Sequence, residues 1–123
     1  VSVPDEPPLT DVGSFEVVAF GNKLQNREAY IYWKQIREEQ KNGPEFRYEI
    51  SCEEEPELKP SNVTNTYAKF NELSISKSYT FHIWSKNVDG SSLRRSTVRV
   101  PKQADRKTRL KSVVRDIKAL LQG

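Results

Sequence analysis

The chain holds 123 residues with a formal charge of +3, 35% hydrophobic side chains and one cysteine, Cys52. That length suits a single domain whose core stands without staples, and one cysteine excludes a disulfide within the chain. No apolar run is long enough for a helical membrane span. The charge is divided unevenly. Residues 101–123 carry Lys102, Arg106, Lys107, Arg109, Lys111, Arg115 and Lys118 against Asp105 and Asp116, whereas the first 100 residues carry 13 basic and 15 acidic side chains. The body is mildly acidic and the tail basic, so a pI near 9.0 is no argument for nucleic-acid binding by the body.

In chain order, Val1–Pro8 reads as an extended, proline-rich linker with no leader pattern, so the chain reads as a piece of something longer. Asp11–Phe20, with Phe15, Val17, Val18 and Phe20, predicts a first strand, and Gly21–Asn26 a polar loop. Ala29–Lys34 alternates: Ala29, Ile31 and Trp33 on one face, Tyr30, Tyr32 and Lys34 on the other. Arg37–Glu45 is a charged loop ending in the turn signal Asn42-Gly-Pro44. Phe46–Cys52 puts Phe46, Tyr48, Ile50 and Cys52 on one face. Glu53–Glu57 interrupts it, and Pro56 and Pro60 confine the next piece to an edge strand or a loop.

Thr66–Leu73 supplies Ala68 and Phe70 at period two, and Ser74–Ser78 is turn-like. Tyr79, Phe81 and Ile83 then alternate with Thr80, His82 and Trp84, the period of a strand with one buried face. Asn87 and Gly90 close that strand with turn chemistry. Arg94–Val100 is the last strand, stopped by Pro101. About seven short strands at this spacing predict an all-β sandwich of immunoglobulin-like type, with Tyr79 as its tyrosine corner.

After Pro101 the period changes. Leu110, Val113, Val114, Ile117, Leu120 and Leu121 recur at helical steps, predicting a C-terminal amphipathic helix over 102–123 behind a sandwich over 1–101. Basic residues crowd its first turn, the wrong charge for a helix N-terminus, although Asp105 is placed to cap it. So short a helix needs a surface. Packing on the sandwich, self-association and an anionic membrane surface all stay open.

Over residues 4–101 the chain resembles a fibronectin type III domain. The matching residues are the entry Pro4–Pro8, Trp33, Asn42-Gly-Pro44 before Tyr48, Leu73 with Tyr79 six residues on, Phe81, Ile83, Asn87, Gly90 and Ser91. The resemblance implies that Trp33 and Tyr48 are core residues, that Leu73 and Tyr79 form the corner, and that Asn87–Ser92 is the turn before the last strand. The charged loop and the stretch from Asn42 to Tyr48 look like those of a cytokine-receptor-like cell-surface receptor of the Domeless type. Against ligand-binding modules of that group, the chain lacks paired cysteines, and Ser91–Ser96 has no tryptophans where a Trp-Ser-x-Trp-Ser motif would stand. The resemblance therefore implies a spacer or protein-interaction unit.

Catalysis has little support in these residues. His82 is the only histidine and falls on an outward strand face, as a surface residue. Cys52 faces inward with Tyr48 and Ile50, as an inert thiol. One His and one Cys cannot build a four-ligand zinc site, and Glu53–Glu55 with Glu57 lacks the ordered spacing of a calcium loop and reads as a solvated strand end. No metal, cofactor or catalytic residue is expected. Asn62-Val-Thr64 is an N-glycosylation sequon in an expected exposed loop. Trp84 faces outward, with Arg94, Arg95, Arg99 and Arg47 as stacking partners. Trp84, Arg94 and Arg95, together with Tyr30 and Tyr32 on the opposite sheet, are the candidate protein-interaction residues.

These features give the expected function: a non-catalytic extracellular module of a membrane-anchored cell-surface receptor, with protein partners and no nucleic acid. The alternative is an intracellular scaffold using sandwich and helix as an assembly platform.

Overall fold

The computed structural model describes residues 2–11, 13–18, 26–103 and 121. Its strands in chain order are β1 (Phe15–Val18), β2 (Asn26–Tyr32), β3 (Arg47–Cys52), β4 (Asn62–Val63), β5 (Tyr67–Ser74), β6 (Tyr79–Asn87), β7 (Gly90–Ser91) and β8 (Ser96–Val100). They form two antiparallel sheets. One runs β1-β2-β5-β4; in the other β6 is central, with β3 on one side and β7 and β8 on the other. Residues 84 and 85 of β6 face the four residues 92–95, because Lys86 opposes Ser91 while Ile83 opposes Ser96. β7 and β8 are thus one edge strand broken by a bulge, which leaves seven strands among the described residues, in line with the about seven expected from the pattern.

Alternation decides the core. Ala29, Ile31, Ala68, Phe70 and Leu73 from one sheet meet Tyr48, Ile50, Cys52, Tyr79, Phe81, Ile83, Val98 and Val100 from the other in one buried cluster. The rings of Phe70 and Phe81, one from each sheet, lie 4.6 Å apart, so the sheets pack face to face as a sandwich. Trp33 and Tyr48 are core residues, with ring centroids 5.6 Å apart. The Trp33 indole donates to Asn65 O at 2.9 Å, and Tyr48 Oη accepts from Ile36 N at 2.9 Å. At the corner, Tyr79 Oη accepts from Ser74 N at 2.8 Å beside fully buried Leu73. That is the geometry of a tyrosine corner.

Several expectations need correction. Residues 2–8 are no free linker: Pro4 and Pro8 are buried, Asp5 N donates to Gln40 O, and Leu9 exchanges backbone bonds with Lys34. Proline here fixes an extended strap whose carbonyls find donors in the body, so the strap belongs to the domain. Of the expected strand Asp11–Phe20, Phe15–Val18 form β1, Asp11, Gly13 and Ser14 precede it, and residues 12, 19 and 20 lie outside the described residues, as do residues 21–25 of the expected loop; β2 starts three residues before Ala29. The charged loop after β2 holds a 3-10 turn, Glu38–Gln40. The segment after Pro60 agrees with the expected edge strand, as the two-residue β4, which puts Asn62 on a strand rather than in a loop. Of the helix expected over 102–123, the described residues are Lys102, Gln103 and Leu121; Leu110, Val113, Val114, Ile117 and Leu120 lie outside the described residues.

Candidate functional site

The outward face of the β3-β6-β8 sheet carries the candidates on β6. His82 stands between Ser51 of β3 and Thr97 of β8 in the register. It is not the surface residue its parity predicts but only 7% exposed. One ring nitrogen lies 3.1 Å from Thr97 Oγ1 and the other 3.1 Å from Glu53 Oε2. A central strand has neighbours on both sides, and their side chains roof it over. Trp84 is half-buried, and the ring it contacts is His82 at 6.2 Å rather than an arginine. Lys86 pairs with Glu49 at 3.2 Å. The cation–π contacts among the described residues are elsewhere, Lys41 over Phe46 and Lys69 over Tyr30. This face is knitted to itself.

The bulge beside it is different. Ser92 is buried; its amide donates to Ser85 O at 2.7 Å, and its hydroxyl bonds Arg94 O and Ser85 N. Those anchors turn Leu93 outward to 92% exposure, followed by exposed Arg94 and Arg95. Arg94 reaches Glu6 of the strap at 3.3 Å, and Ser96 Oγ bonds Pro8 O, so strap residues 6–8 line the same rim. The Arg94–Glu6 pair is exposed on both sides and adds little stability. Leu9, 60% exposed, continues the rim.

On the opposite sheet, Tyr30 packs edge-on against Tyr67 at 5.6 Å under the Lys69 ammonium. Tyr32 is 43% exposed and donates its hydroxyl to Gly13 O at 2.7 Å. An open cleft of about 680 Å³ separates the free edges of β1 and β8, lined by Phe15, Val98, Thr97, Arg99 and Pro101 among others.

The acidic segment is no loose strand end. Glu53 bonds His82, Glu55 pairs with Lys77 at 3.2 Å, and Glu54 Oε1 accepts from Thr80 N at 2.6 Å and faces Cys52 Sγ. Desolvation opposes the Glu54 charge, but its hydrogen bonds, those of Thr80 foremost, outweigh it and hold the carboxyl below its ordinary value. Among the described residues no group of three or more His, Cys, Asp and Glu is placed to hold a metal ion. Cys52 is buried, and burial pushes its thiol up, away from the reactive thiolate.

Two polar residues central to the fold are invisible in a hydrophobic reading. Arg27, 3% exposed, donates to Lys77 O at 3.2 Å and Pro101 O at 2.7 Å, joining β2 to the corner and to the end of β8. Burial lowers its pKa, and its Nε has no partner. The signal was present: Arg27 shares parity with Ala29 and Ile31 and so faces inward. Asn87 is more than a turn residue, since its buried amide donates to Ser2 O and Lys41 O while its oxygen accepts from Asp89 N. Nothing local announces those partners.

Comparison with known proteins gives no match to a family model, to a curated protein or to a solved structure.

Proposed function

We propose that the chain is a non-catalytic protein-recognition module of the fibronectin type III kind, from the extracellular part of a single-pass cell-surface receptor of cytokine-receptor-like character. It acts as a spacer or protein-binding unit and takes no cofactor or nucleic acid. The observation that carries this reading is Leu93. A leucine held in water just ahead of two exposed arginines, next to a buried, triply bonded serine, is an anchored apolar knob with a basic neighbourhood. Rigid anchors bind well because little freedom is lost on contact. The matching partner is a protein surface with an apolar socket ringed by carboxylates.

A photo-crosslinking residue placed at position 93 of the full receptor on intact cells should capture a protein partner, and the same residue at position 32 should not. With the crosslinking residue moved to exposed position 95, Leu93→Asp should abolish the capture without unfolding the sandwich. Equal capture from both positions would remove Leu93 as the contact. A chain that resists protease added outside the cell would favour the intracellular scaffold instead.

The tail is proposed to self-associate through Leu110, Val113, Val114, Ile117, Leu120 and Leu121. In support, Leu121 is 82% exposed rather than packed on the sandwich. Ile117→Glu should lower the mass in sedimentation; an unchanged mass refutes this use of the tail.

A further inference from the structure

We propose that Asn62 carries an N-linked glycan, attached before the β4–β5 hairpin closes and standing over the tyrosine row of the β1-β2-β5-β4 sheet. The proposal rests on the extracellular reading above. Asn62 opens the sequon Asn62-Val63-Thr64 and is exposed on β4, the outermost strand of its sheet. In the register, Asn62 opposes Lys69, Lys69 opposes Tyr30, and Tyr30 opposes Glu16. Ala29, Ile31, Ala68 and Phe70 are buried, so this row has the outward parity, and directly opposed side chains on one face are neighbours. A sugar on Asn62 therefore begins beside the Lys69 ammonium and the Tyr30–Tyr67 ring pair. Hydroxyl groups suit the first and apolar C–H faces suit the second.

The chemistry requires an unfolded acceptor. Asn62 Nδ2 forms a bond to C1 of an oligosaccharide carried on a polyprenyl pyrophosphate. The C1–O bond breaks, the pyrophosphate leaves with the electron pair, and Nδ2 releases one proton to a base of the transferase. The transferase reads the sequon through the Thr64 hydroxyl. In the fold that hydroxyl accepts from Thr66 N at 3.2 Å and from Tyr67 N at 3.1 Å, and donates to Tyr67 O at 3.2 Å. Its hydrogen and lone pairs are in use, and Thr64 N is bonded to Tyr67 O as well. The folded hairpin hides the hydroxyl while leaving the Asn62 side chain exposed. The sugar must arrive first, and the finished fold then tolerates it. The consequence for binding is that Tyr30 and Tyr67 lie under sugar, which leaves partners the opposite sheet and the Leu93 rim.

The test is expression of the full chain behind a secretory leader, with intact mass measured before and after an N-glycan-releasing amidase. One glycan is expected at Asn62 and none in Asn62→Gln; an unmodified secreted chain overturns the site. Folded chain made in bacteria is next given transferase and lipid-linked donor, alongside a Phe70→Ala/Phe81→Ala variant that does not fold. The folded chain should be modified about tenfold or more slowly, because only its open state reacts; equal rates overturn the order of events. Hydroxyl-radical footprinting should show Tyr30 and Tyr67 protected in the glycosylated chain relative to Asn62→Gln, and equal labelling overturns the placement. Forced secretion tests Asn62 whatever compartment the parent occupies. Protease accessibility of the parent on intact cells tests the extracellular reading separately.

Discussion

Replacing Asn87 by alanine or by aspartate should destabilise the sandwich to different extents, and the order of the two variants tests the clamp. The Asn87 side chain is 1% exposed and makes three bonds: Nδ2 to Ser2 O at 2.6 Å and Lys41 O at 2.9 Å, and Oδ1 from Asp89 N at 2.8 Å. Each is worth roughly 0.5–1.5 kcal/mol net, so Asn87→Ala should cost about 2–4 kcal/mol. Asn87→Asp keeps the acceptor for Asp89 N but points an oxygen at two carbonyl oxygens. Ionised, it can donate to neither; protonated, it can donate to one. The introduced carboxyl is therefore protonated more readily folded than unfolded, where its pKa is about 3.9.

With the folded value raised, the native state binds the extra proton, and stability falls as pH rises above about 4 until the folded pKa is passed. Each unit of elevation removes about 1.4 kcal/mol at neutral pH. Urea unfolding of both variants from about pH 4 to pH 8 is the assay. The aspartate variant should be the weaker at neutral pH and should approach the alanine variant as pH falls. Parallel profiles, or an aspartate variant as stable as alanine at neutral pH, would falsify the clamp.

Three further outcomes are expected. Tyr79→Phe keeps the buried ring but leaves Ser74 N without its acceptor, so it should lose about 1–2 kcal/mol in urea unfolding with unchanged m; no loss removes the corner as a source of stability. Glu54 has a depressed pKa when folded, so its contribution is present above its unfolded value of about 4.3 and is lost as pH falls through the folded value. Glu54→Gln should therefore trail the parent at neutral pH, with the gap closing in acid; a gap that does not vary with pH refutes the carboxylate's role. Cys52, buried with its thiol pushed up, should alkylate about a thousandfold or more slowly in the native chain than in urea, and rapid native labelling contradicts its burial.

Much of the sandwich was legible because a strand with one buried face writes that face into every second residue. The set Tyr79, Phe81 and Ile83, the set Tyr48, Ile50 and Cys52, and the corner spacing of Leu73 and Tyr79 are local patterns, and each sits where parity puts it. The functional surface was less legible. Parity sent His82 and Trp84 outward, and nothing in the run Tyr79–Asn87 reveals that β6 is central. Only the placement of β3 and β8 on either side brings Glu53 and Thr97 over His82. Leu93 gave no pattern, since its exposure comes from the four-against-two bulge that Ser92 pins to Ser85.

Read from residue order alone, the chain shows which face of each strand is apolar, that no disulfide joins it to itself, and that its tail is basic with apolar residues at three- to four-residue steps. Those are properties of composition and of neighbours two to four residues apart. The tertiary structure alone decided that Pro4–Pro8 is a strap, that Arg27 ties β2 to Pro101, and that Asn87 binds Ser2 and Lys41. The bonds concerned span 46 to 85 residues, and a buried polar group must take its partners from whatever the fold brings beside it.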